Sequence, residues 1–171
     1  MNFVQVLFSF HGRINRAKYW LAVLFWTVLD IVVFGVLAGM LAKDIVALGS
    51  EPSGADIVRV ILNFGIGILL VCLLVLVPGI VSWLAVGIKR LHDRDQSGWW
   101  ILLFYFGPGV ASGLGHYSDS GALMLVLSLV SIGISIWAFV VLGCLRGTRG
   151  PNRYGPDPLG GTVGMVAPSQ A

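Results

Sequence analysis

From Val60 to Ile88 the chain carries no charged residue. That run constrains the fold more than any motif does. A hydrocarbon core about 30 Å thick is crossed by about 20 apolar residues at 1.5 Å rise. Three further runs reach or approach that length: Tyr19–Ala42, broken only by Asp30, then Trp99–Leu114 and Ala122–Leu145. Composition agrees, with 57% hydrophobic and only 11% charged residues among 171, and a mean hydropathy of +0.89. A soluble domain carries about 25% charged residues, so a chain of this length could not cover its surface in water. The expected class is therefore an all-α integral membrane protein, because lipid offers backbone groups no partner outside their own segment.

Each run has its own signature. The first is too long for a cleavable signal peptide, and Met40–Lys43 offers no small-residue cleavage site. The shorter stretch before it, Phe3–Phe10, cannot span and is expected in the interface. Ser53-Gly-Ala-Asp56 reads as a capping box opening the second helix, and Pro78-Gly79 predicts a kink within it. Gly107-Pro108-Gly109 predicts that the third helix is broken, or short and packed within the bundle. Residues 3–158 then make one four-span membrane domain, with 159–171 a disordered cytoplasmic tail.

Sidedness follows from the cations. Arg13, Arg16 and Lys18 precede the first run, Lys89, Arg90 and Arg94 join the second to the third, and Arg146, Arg149 and Arg153 follow the fourth. Only Lys43 and Arg59, of 11 lysines and arginines, fall on the other side. The positive-inside rule places both termini in the cytoplasm. Trp20, Trp99 and Trp100 stand at the cytoplasmic ends of runs, where amphipathic aromatics favour headgroups. The net charge of +3 is thus explained by topology, and the basic residues form no nucleic-acid-binding domain.

Three polar segments share that face: Phe10–Arg16, Lys89–Trp100 and Gly147–Pro158. Their motifs are F-x-G-R-x-x-R-x-x-Y-W at Phe10–Trp20, K-R-L-H-D followed by S-G-W-W, and a terminal N-R-Y-G-P-D-P. In that order they resemble the YhaH-like bacterial inner-membrane proteins, the domain of unknown function 805 family, over about residues 3–158. The resemblance implies a location in the bacterial inner (plasma) membrane and brings no reaction or cofactor.

The residues allow several roles. Arg13, Arg16, Lys89, Arg90 and Arg153 could bind anionic headgroups at about 1 kcal/mol each, or could set topology and pair with Asp93, Asp95 and Asp157. With His92, Ser97, Gly98, Trp99, Asn152 and Tyr154 they form the candidate cluster for a ligand, a partner or a structural clasp. Gly147–Pro158 is turn-rich, and Asn152-Arg-Tyr-Gly can fold back so that Arg153 meets an acid of the middle segment. His11 and His92 lack close metal-ligand spacing, no catalytic signature is present, and Cys72 and Cys144 read as reduced packing residues.

Asp30 sits mid-run, where a carboxylate costs about 2.5–3.5 kcal/mol to insert. Ser128, Ser131 and Ser135 share one face of the last run and are candidate partners, and Gly35-x-x-x-Gly39 permits close helix contact. The leading expectation is a binding or scaffold module, without cofactor, contacting membrane lipids, a protein partner or a second copy. The alternatives are a small transporter using Asp30, and a headgroup enzyme using His92 and Asp93.

Overall fold

The computed structural model describes residues 2–49 and 52–160, so most of the tail expected at 159–171 lies outside the described residues. The described chain is helical, and its only β pairing is an isolated bridge between Asn152 and Gly155. Six α-helices follow in order: α1 Phe3–Phe8, α2 Arg16–Ala47, α3 Gly54–Val71, α4 Val77–Asp93, α5 Trp100–His116 and α6 Gly121–Phe139. A π-helical turn, Cys72–Leu76, joins α3 to α4, and another, Val140–Cys144, ends α6.

Among the described residues, three helices are long and apolar enough to cross a bilayer: α2 at 32 residues, the continuous Gly54–Asp93 helix at 40, and Gly121–Cys144 at 24. The 40-residue helix begins on a reciprocal capping box between Ser53 and Asp56. Pro78 has no N–H to complete the ladder behind it, and the π turn at Cys72–Leu76 lies just upstream. That turn relaxes the hydrogen-bond register where proline interrupts it.

The middle helix differs from the broken reading. α5 continues through Pro108 for 17 residues, or about 26 Å at 1.5 Å per residue. Proline removes the N–H that would close on the Phe104 carbonyl; beside it, Ser131 Oγ on α6 donates to the Pro108 carbonyl at 3.0 Å and lies 2.9 Å from Ser112 Oγ, tying α6 to this turn. α5 and α6 form an antiparallel hairpin packed through Trp137, whose ring meets Trp100 and Phe104 edge-on.

Two units divide the chain, one formed by residues up to Trp20 with those from Leu84 onward, the other by Leu21–Trp83. Within the second, Trp26 Nε1 donates to Ser82 Oγ at 2.9 Å and Gly79 packs on the Trp26 ring. Within the first, Gly87 lets α5 approach α4, since a Cβ there would lie 2.4 Å from Ile101 Cδ1.

α4 ends in a Schellman motif, with Gln96 N–H donating to Leu91 O and Asp95 N–H to His92 O. Its left-handed position, usually glycine, is Asp95 at φ 58°. An aspartate tolerates that conformation better than most side chains, and here its carboxylate has a use.

A clasp of buried charge and the cavity beside it

Arg13, Lys89, Arg90 and Asp93 are all buried, with Lys89 and Arg90 fully so. Charged groups persist in such places only when paired and hydrogen-bonded. Arg13 Nε donates to Asp93 Oδ1 at 3.2 Å, and Arg90 Nη1 to Asp93 Oδ2 at 2.5 Å. Two guanidiniums therefore share one carboxylate, while Lys89 donates to backbone carbonyls rather than to an acid.

Helix ends absorb the excess positive charge. The last carbonyls of a helix lack internal donors and carry the negative end of its dipole. Lys89 Nζ donates to Gln5 O at 2.8 Å and Val6 O at 2.6 Å, closing the end of α1. Arg90 Nε donates to Leu142 O at 2.8 Å, and its Nη2 donates to Leu145 O. Trp20 Nε1 donates to Gly143 O at 3.1 Å, and Arg16 Nη1 to Cys144 O at 2.9 Å. Four successive carbonyls at the end of the last helix are thus closed by side chains from two earlier segments. A Cβ on Gly143 would lie 2.8 Å from the Trp20 ring.

The terminal segment is the third member. Arg13 reaches it through Nη1 to Gly150 O at 2.8 Å and Nη2 to Thr148 O at 2.7 Å. Thr148 N–H donates to Asp93 O at 2.8 Å, while Gly147 lies flat against the Asp93 carboxylate. Asn152 Nδ2 donates to His92 O at 2.9 Å, and the Tyr154 ring stacks on His92 at 3.8 Å, tilted by only 5°. Arg153, more than half exposed, pairs with Asp95 at 3.1 Å, which accounts for an acid at the left-handed position.

Asp157 turns back on its own segment, accepting from Leu159 N–H at 2.9 Å and Gly150 N–H at 3.0 Å. Those two amides hold its carboxyl below the usual aspartate range. A group with a depressed folded-state pKa stabilises above its unfolded pKa, about 3.9, and loses that contribution as pH falls through the folded value. The terminal segment is therefore expected to loosen below about pH 4. Protection of the Gly150 amide, taken relative to its intrinsic exchange at each pH, should fall there in the native chain, and Asp157→Asn should show the same protection across that window. Equal pH dependence in both would remove Asp157 from this role.

Of the cations considered for headgroups, Arg13, Lys89 and Arg90 are enclosed, while Arg16 and Arg153 remain exposed. Within the membrane-length helices, Asp30 is half-buried on α2. Ser131 is engaged with α5, Ser135 Oγ donates to Ser131 O in its own helix, and Ser128 is half-buried. The enclosure of the Lys89–Arg90 pair has no counterpart in the sequence pattern, where adjacent cations at a span end look like topology signals alone.

Beside the clasp lies a cavity of about 450 Å³. All three polar segments contribute to it: Phe10 from the first, His92, Ser97, Gly98 and Trp99 from the second, and Tyr154 from the third. Leu84, Ile88, Ile101 and Leu102 complete its walls. Its volume falls in the range of small-molecule sites, about 300–1,000 Å³, which are mostly apolar with a few polar groups.

Comparison with known proteins agrees with the architecture. The family described as "Protein of unknown function (DUF805)" matches residues 7–156, covering the first two polar segments and most of the third. The chain is 32% identical to Inner membrane protein YhaH of Escherichia coli K12 over 150 residues, covering 88% of this chain and 87% of that one. It is 33% identical to the same organism's YiiR over 159 residues, covering 92% and 90%, and 29% identical to Inner membrane protein YhaI over 154 residues, covering 90% and 89%. No solved structure matches the chain. Membrane-length helices and inner-membrane relatives together make this a multi-pass inner-membrane protein.

Proposed function

This chain belongs to the DUF805 family, and we propose that it works as a binding module, with four helices crossing the membrane and both termini cytoplasmic. The fourth crossing would be α5. It is shorter than its neighbours, but it returns alongside α6 through a four-residue connection, Tyr117–Ser120. The lysine and arginine distribution supports cytoplasmic termini. The observation that carries the binding role is the convergence of all three polar segments on one cavity wall. Their buried charges hold the wall in place, and the cavity itself is lined by apolar and weakly polar groups.

Binding is favoured over catalysis by the state of Asp93. Asp93 is buried, both of its oxygens accept from guanidiniums, and it lies outside the lining of the cavity, so it is placed to hold the face together rather than to meet a substrate.

A photocrosslinking residue at Ile88 in the full chain, irradiated in native membranes, tests the reading. It should yield a discrete adduct with a lipid or a protein, and Leu102→Trp, which fills the cavity, should remove it. The control is Leu125, on an exposed face of α6. Identical adducts from Ile88 and Leu125, unaffected by Leu102→Trp, would sink the proposal.

A further inference from the structure

The cavity walls are ordered by polarity. Leu84, Ile88 and His92 recur every four residues along α4, so they form one stripe over two turns, about 12 Å long. That stripe is apolar, apolar, then polar as it approaches the end of the helix. The facing wall repeats the order: Leu102 and Ile101 lie inside α5, and Ser97 and Gly98 precede its first turn. Both walls therefore grade from hydrocarbon to polar in the same direction, parallel to the helices.

The polar groups at the graded end are the His92 ring and the Ser97 hydroxyl, while the first amides of α5 are already taken, Trp99 N–H by Ser97 Oγ and those of Trp100, Ile101 and Leu102 by the carbonyls three residues back. Arg153 reaches that end too, its guanidinium 4.9 Å from the ring of Tyr154 and its side chain 59% exposed. Trp99, 78% exposed, stands beside the mouth as a headgroup-level aromatic would.

We infer that the cavity is a phospholipid site, with one acyl chain along the Leu84–Ile88–Leu102 walls and an anionic headgroup at the His92–Ser97–Arg153 end. This assignment rests on the binding reading above and names its ligand. Two features select a phospholipid over a soluble metabolite or a peptide. The polarity gradient is that of a chain joined to a headgroup, and it runs along helices that the membrane itself surrounds. The net charge of this face is positive, and the leaflet it meets is anionic.

The test uses the full chain reconstituted in phosphatidylcholine vesicles doped with phosphatidylglycerol bearing a photoactivatable acyl chain. Adducts should map to the α4 and α5 cavity walls. Unlabelled phosphatidylglycerol should compete for them, and glycerol phosphate should not. Leu102→Trp should lower wall labelling roughly tenfold, the factor matching the loss of about two buried methylenes. Ile88→Phe, a milder filling change, should lower it in the same direction if Leu102→Trp does not fold. Arg153→Ala should reduce the preference for phosphatidylglycerol over phosphatidylcholine while leaving wall labelling present.

Labelling spread evenly over the exposed faces of α2 and α6, unchanged by either filling variant, overturns the lipid site. Competition by glycerol phosphate would assign the polar end to a free phosphate and also overturn it. If the Ile88 adduct in native membranes proves to be a protein, the binding reading survives and the phospholipid assignment falls.

Discussion

Asp93→Asn should lower the stability of the purified protein by about 3–5 kcal/mol, the cost of leaving buried charge without its partner. Arg13 and Arg90 lose their only shared anion, and neither side chain can turn to water from where it lies. Asparagine can still accept one hydrogen bond, but its amide end would point a donor at a guanidinium. Helix carbonyls remain for Arg90 and terminal-segment carbonyls for Arg13, so the loss falls short of removing the whole clasp. The comparison that isolates burial is Asp95→Asn. That residue also pairs with an arginine, but both side chains are about half exposed, and such pairs contribute about 0–1 kcal/mol. Thermal unfolding in detergent should show a large drop in midpoint for the first variant and little for the second. Equal midpoints would mean that the buried carboxylate does not organise this face.

Gly147→Ala should release the terminal segment. The new methyl would fall 2.0 Å from Asp93 Oδ2 and 2.4 Å from its Cγ, closer than any non-bonded approach allows. The carboxylate cannot retreat, because Arg13 and Arg90 hold it from the other side, so the segment must move. Overpacking of this kind costs about 1–3 kcal/mol. The adjacent hydrogen bond from Thr148 N–H to the Asp93 carbonyl should break first. Trypsin should then cut at Arg149 or Arg153 several times faster, with the helices still assembled. Gly133→Ala is the matched control, since a Cβ there meets nothing within 4 Å. Unchanged cleavage in the Gly147 variant would place the segment's anchorage elsewhere.

The apolar runs reported the helices because hydropathy and length act locally, and Ser53 with Asp56 marked a helix start for the same reason. At the first long helix both boundaries moved outward, while α5 opens one residue inside its run, at Trp100. The first long helix opens at Arg16 and closes at Ala47, since aqueous turns extend a helix that the membrane requires only in its middle. Gly107-Pro108-Gly109 left a broken helix and a short packed one both open, and α5 is the second, continuous through Pro108 and bonded from α6 by Ser131. The site was legible as three polar segments on one face. Its division of labour was not. Whether Lys89 meets a headgroup or a helix end depends on where α1 stops, and no spacing in the sequence encodes that distance. Leu84, Ile88, Ile101 and Leu102 were absorbed into the spans because an apolar residue facing a cavity and one facing lipid are identical in a linear reading.

The order in which the chain is made gives the terminal segment a further meaning. Thr148 closes on Asp93 across 55 residues, and a ribosome adding about 5–20 residues per second needs several seconds to supply them. During that interval the Asp93 carbonyl waits for Thr148, and the end of α6 does not yet exist to receive Arg90. The face is therefore finished from behind, by a segment made after every described membrane-length helix. A chain stopped before Gly147 would keep every described membrane-length helix and still lack the carbonyls that receive Arg13 and the donor that closes on Asp93.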